Sequence, residues 1–210
     1  MNLDRLHAAE ADFFARYPGG FDDPQLAAIG KRHRVAQLSA QARAWFSRDA
    51  FSNTGQVLDD LVRLVGRSSM VSMFEKPKFR SFVAGLDRDA RAQLADALKR
   101  MLHGRGGSPE RGFEAFVDLL SDARLAKWSL VSAAPYYFHP DREVFVKPTT
   151  VKGVIAYFEL DVPPYRPRPA WSFYEAYRAR YLELHSHASK ELAPNNAAFS
   201  GFLMMSLRTA

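Results

Sequence analysis

Val57, Leu58, Leu61, Leu64 and Val65 recur at steps of three and four residues. That spacing gathers side chains on one face of a helix and scatters them on a strand. The same pattern returns in Leu94, Ala97, Leu98, Met101 and Leu102, in Phe113, Phe116, Val117 and Leu120, and in Phe173, Tyr174, Tyr177, Tyr181 and Leu184. Two-residue alternation is confined to Glu143–Val146 (E-V-F-V), a predicted short strand. A chain of this kind is expected to be all-α: one compact multi-helix domain, residues 1–210, of many short helices with one irregular insertion at about 134–148. A subdivision near 104–108 is the one candidate boundary.

Helix punctuation lies between the stripes. A first helix over 3–17 is expected to stop at Pro18-Gly19-Gly20, and Asp22-Asp23-Pro24 to start a second that runs to about His33, weakened by Gly30. A third covers 35–47; Thr54 is expected to cap a fourth, ended by Gly66. Residues 68–74 read equally as helix or extended chain, and Pro77 opens the next helix. Asp87 caps 88–103, and Ser108-Pro109-Glu110 begins another. A helix over 123–133 is expected to end at Pro135, and the longest covers 170–190. After Pro194-Asn195-Asn196, residues 197–207 are apolar almost all round. Such a helix is buried in the core or against a second copy, so a homodimer through 197–207 is a candidate.

The 210 residues contain no cysteine, which excludes disulfides, zinc–thiolate sites and cysteine nucleophiles. No leader-like apolar run opens the sequence and no stretch is long and apolar enough for a membrane span. The expectation is a cytoplasmic protein without a membrane partner.

The net charge of +6 is unevenly distributed, with 11 Lys/Arg against 5 Asp/Glu in residues 63–111. Lys76, Lys78, Arg80, Arg88, Arg91 and Lys99 are the candidate members of one basic surface over 76–105, with Arg88 and Lys99 returning to nearly the same helix face. A surface of that sign suits nucleic acid or another phosphate-bearing ligand, and equally describes the solvated face of a basic protein. The Lys31-Arg32-His33-Arg34 cluster reads as cations complementing a helix C-terminus.

Trp128–Trp171 holds the remaining candidates. Lys147-Pro148-Thr149-Thr150-Val151-Lys152 is a helix start whose hydroxyls can bond backbone N–H groups. Lys147, Thr149, Thr150 and Lys152 are candidate phosphate contacts there. His139, Asp141 and Arg142 are candidate pocket residues, although H-P-D-R also reads as a tight turn. Tyr136, Tyr137, Phe138, Phe145, Tyr157 and Phe158 read as core, and Pro163–Pro169 as a stiff connector. No metal and no cofactor is expected. His185 and His187 diverge on a helix, H-G-R-G-G at 103–107 lacks phosphate-loop spacing, and no nucleophile elbow surrounds Ser68, Ser69 or Ser72. His139-Pro140-Asp141 with Glu143 and Lys147 lacks the separate strand a nuclease core needs.

Phe113–Leu120 followed by A-K-W at 126–128, F-V-K-P-T-T-V-K at 145–152 and N-N-A-A-F-S-G-F-L-M-M at 195–205 resemble a family of uncharacterised helical bacterial proteins. The resemblance implies an all-helical fold and transfers no catalytic residue. Three functions follow as expectations: a nucleic-acid- or anion-binding protein using 76–105, an enzyme or small-ligand protein with a pocket in 136–152, and a subunit associating through its last helix.

Overall fold

The computed structural model describes residues 1–192 and 195–207, the side chains of residues 29–32 excepted. The side chains of Lys31 and Arg32, and Pro194, therefore lie outside the described residues. The fold is all-α, and no strand occurs among the described residues. In chain order the helices are α1 (Leu3–Arg16), α2 (Pro24–His33), α3 (Val35–Trp45), α4 (Thr54–Arg67), α5 (Glu75–Gly85) and α6 (Arg88–His103). They continue with α7 (Ser108–Ser121), α8 (Trp128–Val131), α9 (Ala133–Phe138), α10 (Pro148–Tyr157), α11 (Trp171–His187) and α12 (Asn196–Ser206).

Local capping chemistry sets many of these boundaries. Asn2, Asp23, Asp87 and Asn195 each accept a backbone N–H in the first turn of α1, α2, α6 and α12. Thr54 is not the cap of α4; Asn53 accepts from the Gln56 N–H at 3.1 Å and Thr54 is already helical. Nor does Ser108 cap α7, because Gly107 holds that position without a side-chain bond. Pro77 lies inside the first turn of α5 instead of opening it, and residues 68–74 form turns. Pro77 and Pro135 thus mark no boundary: each sits in a first turn, where a missing N–H costs no intrahelical bond.

The expected helix over 123–133 is replaced by a turn, an extended stretch and then α8 and α9, with Pro135 within α9. Every residue of α9 is buried. It packs among α3, α4 and α6, so the middle of the stretch that looked irregular is core. The irregular part shrinks to 139–147. Glu143–Val146 forms no strand. Two of its backbone groups bond side chains where a ladder partner would stand: the Val146 N–H donates to Ser132 Oγ at 3.0 Å and Val144 O accepts from the Tyr174 hydroxyl at 3.3 Å.

α6 and α7 pack antiparallel across the 104–107 turn. Gly112 makes this possible: a Cβ there would lie 2.7 Å from Ala97 O, Arg100 Cβ and Met101 N. One cluster of buried side chains runs through elements on both sides of that turn. The Pro-rich connector is a pinned strap. The Trp128 indole N–H donates to Arg166 O at 2.8 Å, and Arg168 pairs with Asp118 at 2.6 Å.

α12 turns its apolar face inside the chain. Phe199, Phe202 and Leu203 are buried, Phe202 meets Phe13 edge-on at 5.6 Å, and Phe199 meets Tyr181 at 5.3 Å. The buried face that suggested a homodimer through 197–207 is thus covered by α1, α10 and α11.

Candidate nucleic-acid interface

α5 buries Phe79 and Val83 against α4 and therefore turns its other side outward. Its start is fixed by backbone bonds from Glu75 and Lys76 N–H to Ser72 O. Ser129 Oγ donates to the Glu75 carboxylate at 2.6 Å, tying α5 to α8. Lys78 and Arg80 are consequently exposed and Lys76 half-exposed. Arg88, the first residue of α6, follows the short turn after α5 and is exposed. Among the described residues no carboxylate lies within ion-pair distance of these four cations, whereas Arg5, Arg63, Arg100, Arg142, Arg168, Arg178 and Arg180 all have one. Three acids are close in the chain: Glu75 accepts from Ser129, Asp87 is engaged as the α6 cap, and Asp89 is exposed.

Two of the six cations expected on this surface have contacts of their own. Arg91 Nη1 donates to Val83 O at 3.0 Å, closing the C-terminal end of α5. Lys99 stands over the Phe51 ring at 6.0 Å, near the far end of α6. Eleven residues of helix separate it from Arg88, about 16 Å along the axis.

Met73 and Phe74 precede α5 and are each 74% exposed; among the described residues the only other exposed large apolar side chain is Met1. Phe74 has helical φ and ψ (−79°, −23°). It extends one stripe of α5 through Pro77, Lys78, Ser81 and Phe82. Those last four line a groove of about 530 Å³ with Ala123 and Leu125 from the α7–α8 loop. Arg124, in the left-handed conformation at φ 57°, and Lys127 are exposed on the same loop. Sequence reasoning missed these residues because apolarity at Met73 and Phe74 points to burial, and Arg124 falls within an expected helix.

A second groove, between α6 and α7, has the opposite character. It is lined by Asp96, Asp118 and Asp122 with Arg100, and Arg100 is paired with Asp96 at 2.7 Å.

The Lys147–Lys152 start has no side-chain cap, contrary to the role expected of its hydroxyls. Lys147, Thr149 and Lys152 are exposed and Thr150 is half-buried. The Lys152 ammonium stands over the Tyr165 ring at 5.8 Å. His139, Asp141 and Arg142 are placed as parts of a turn, closed by Arg142 and Glu143 N–H groups bonding to His139 O. The His139 ring bonds Leu102 O at 2.9 Å, Arg142 faces Glu143 at 3.7 Å, and Asp141 is exposed. Burial lowers the His139 pKa.

The strongest buried polar cluster nearby was missed altogether. Glu143 accepts from the Tyr174 hydroxyl at 2.9 Å and from Arg178. Arg178 also stands over the Trp171 and Tyr174 rings at 5.5 and 5.7 Å. Burial raises the Tyr174 pKa, with the Glu143 charge adding to it. Tyr174 therefore remains a neutral donor. These groups satisfy one another and hold 139–147 to α11.

Among the described residues no group of three His, Asp or Glu can hold a metal ion, and no helix is long and apolar enough to cross a membrane. No protein-family model, curated protein or solved structure matches this chain.

Proposed function

We propose that the chain is a nucleic-acid-binding protein that contacts phosphates through the outward side of α5 and the start of α6. The observation that carries this reading is the exposure of Lys78, Arg80 and Arg88 beside half-exposed Lys76, with no carboxylate partner for any of them among the described residues. Cations left unneutralised along one short stretch release bound counterions when phosphates replace solvent. Arg91 and Lys99 are left out of the contact set because Val83 O and the Phe51 ring already engage them.

The test is a salt titration with single strands and duplexes of DNA and RNA. Four phosphate contacts give log K against log salt a slope of about −3 to −4 for duplex between about 50 and 200 mM salt. Combining Lys76→Glu, Lys78→Glu and Arg80→Glu lowers affinity and flattens the slope by about one per cation removed. Absence of binding to every one of these nucleic acids at about 50 mM salt overturns the proposal.

A further inference from the structure

We infer that the Met73–Phe74 tip and the groove beside it receive unpaired bases, so that the preferred ligand of this surface is a single strand. The inference rests on the nucleic-acid reading above and goes beyond it in naming the strand state and the base-contacting residues.

Met73 and Phe74 are 74% exposed in a fold that buries most of its large apolar side chains. Holding a phenyl ring in water forfeits the free energy its burial would give, unless a ligand covers it. Lys76 and Lys78 follow at once, Lys78 lines the groove, and the α7–α8 loop that supplies Ala123 and Leu125 also carries exposed Arg124 and Lys127 alongside exposed Asp122. The rest of the groove lining is Pro77, Ser81, Phe82, Ala123 and Leu125. The order along the helix is thus an exposed ring, a cation and a shallow apolar groove with Lys78 in its lining. A single strand matches each part: its phosphates meet the cations, one base stacks on the Phe74 ring, and the next base lies in the groove. A duplex keeps its bases stacked on one another, so it can use the cations but not the ring or the groove. An anionic bilayer offers the same charge and apolar cover, so vesicles form one arm of the test.

The test compares a fluorescein-labelled oligo-dT strand, a duplex of equal length and phosphatidylserine-containing vesicles, using the full chain. The strand binds more tightly than the duplex at equal salt. Phe74→Ala weakens the strand by about 5- to 150-fold, the range for losing one stacked base. Duplex affinity is unchanged, and Phe74→Tyr, which keeps the π-face, restores strand binding. Circular dichroism confirms that each variant is folded, as expected for an exposed position. Equal affinities for strand and duplex, with Phe74→Ala silent but Lys78→Glu weakening both, overturn the inference and leave the phosphate reading standing. Failure to bind any nucleic acid removes both. Vesicle binding that Phe74→Ala abolishes, with strand binding unaffected, assigns the tip to a lipid surface and also overturns the inference.

Discussion

Arg178 Nη1 donates to both carboxylate oxygens of Glu143 at 2.9 Å, and the Tyr174 hydroxyl donates to one of them at 2.9 Å. Glu143 itself is buried. Although burial works against the Arg178 charge, Glu143 raises the guanidinium's pKa overall. Removing the acid leaves a half-buried cation without its carboxylate and a buried hydroxyl with only the longer bond to Val144 O. Glu143→Ala is expected to cost about 3 kcal/mol, at the low end for breaking a buried pair because Arg178 still reaches water. That corresponds to a Tm lower by about 6–12 °C in a chain of this size. Differential scanning calorimetry checks it, and a loss below about 1 kcal/mol would show that the cluster contributes no more than an exposed pair.

His103 and His139 both pack edge-on against Phe138, at 5.0 and 4.4 Å between ring centroids. Each Nε2 lies against a carbonyl, Phe46 O at 2.7 Å and Leu102 O at 2.9 Å, so each must donate there. Burial lowers both pKa values; the nearby charges are Arg48 and Lys99 for His103, and Arg142 and Glu143 for His139. A lowered folded pKa means that the unfolded chain binds more protons just below the ordinary histidine value. The stabilisation is complete above pH 6.5 and is lost as pH falls from there through the lower folded values. Tm is expected to drop across this window, and the double variant His103→Gln, His139→Gln to have a flatter profile. Equal slopes in the two proteins would assign the acid sensitivity to carboxylates.

Gly112 gives a prediction whose sign opposes helix propensity. In an open helix, Gly→Ala stabilises by about 1 kcal/mol. Here the added Cβ meets two backbone atoms and a Cβ of α6 at 2.7 Å. Gly112→Ala is expected to destabilise by about 1–3 kcal/mol, as overpacking does. Gly66 is the control that should follow propensity, because a Cβ added there has nothing within 4 Å. Denaturant midpoints of the two variants should therefore move in opposite directions.

These features differ in how far the sequence discloses them. The helices of the first half are legible because their stripes and caps are local: Asp87 and the N–H it accepts from are three residues apart. The 123–138 region is not, because a proline in a first turn and a proline after a last turn look alike without knowing what surrounds α9. Alternation over Glu143–Val146 suggests a strand, yet a strand needs a ladder partner. Ser132 and Tyr174 take that place through side chains distant in sequence. At the candidate interface, the excess charge is readable and its division is not. Lys78 and Lys99 look alike until the Phe51 ring is brought beside one of them. Phe74 is unreadable for a deeper reason: apolarity predicts burial, and its exposure is a property of the turn that carries it.

The division of the cations can be tested residue by residue. Arg91 is half-buried and its guanidinium bonds Val83 O at 3.0 Å, one of the last carbonyls of α5. Arg80 is exposed and has no ion-pair partner among the described residues. Arg91→Ala should therefore lower stability by about 1–2 kcal/mol, the worth of a charge-assisted hydrogen bond that still touches water. Its effect on the salt slope of nucleic-acid binding should be nil. Arg80→Ala should do the reverse: stability within about 0.5 kcal/mol of the parent, and a salt slope shallower by about one. Urea melts and fluorescence anisotropy on the same preparations separate the two effects. If Arg91→Ala flattens the slope as much as Arg80→Ala does, the guanidinium leaves Val83 O to reach the ligand, and the contact set extends further along α6.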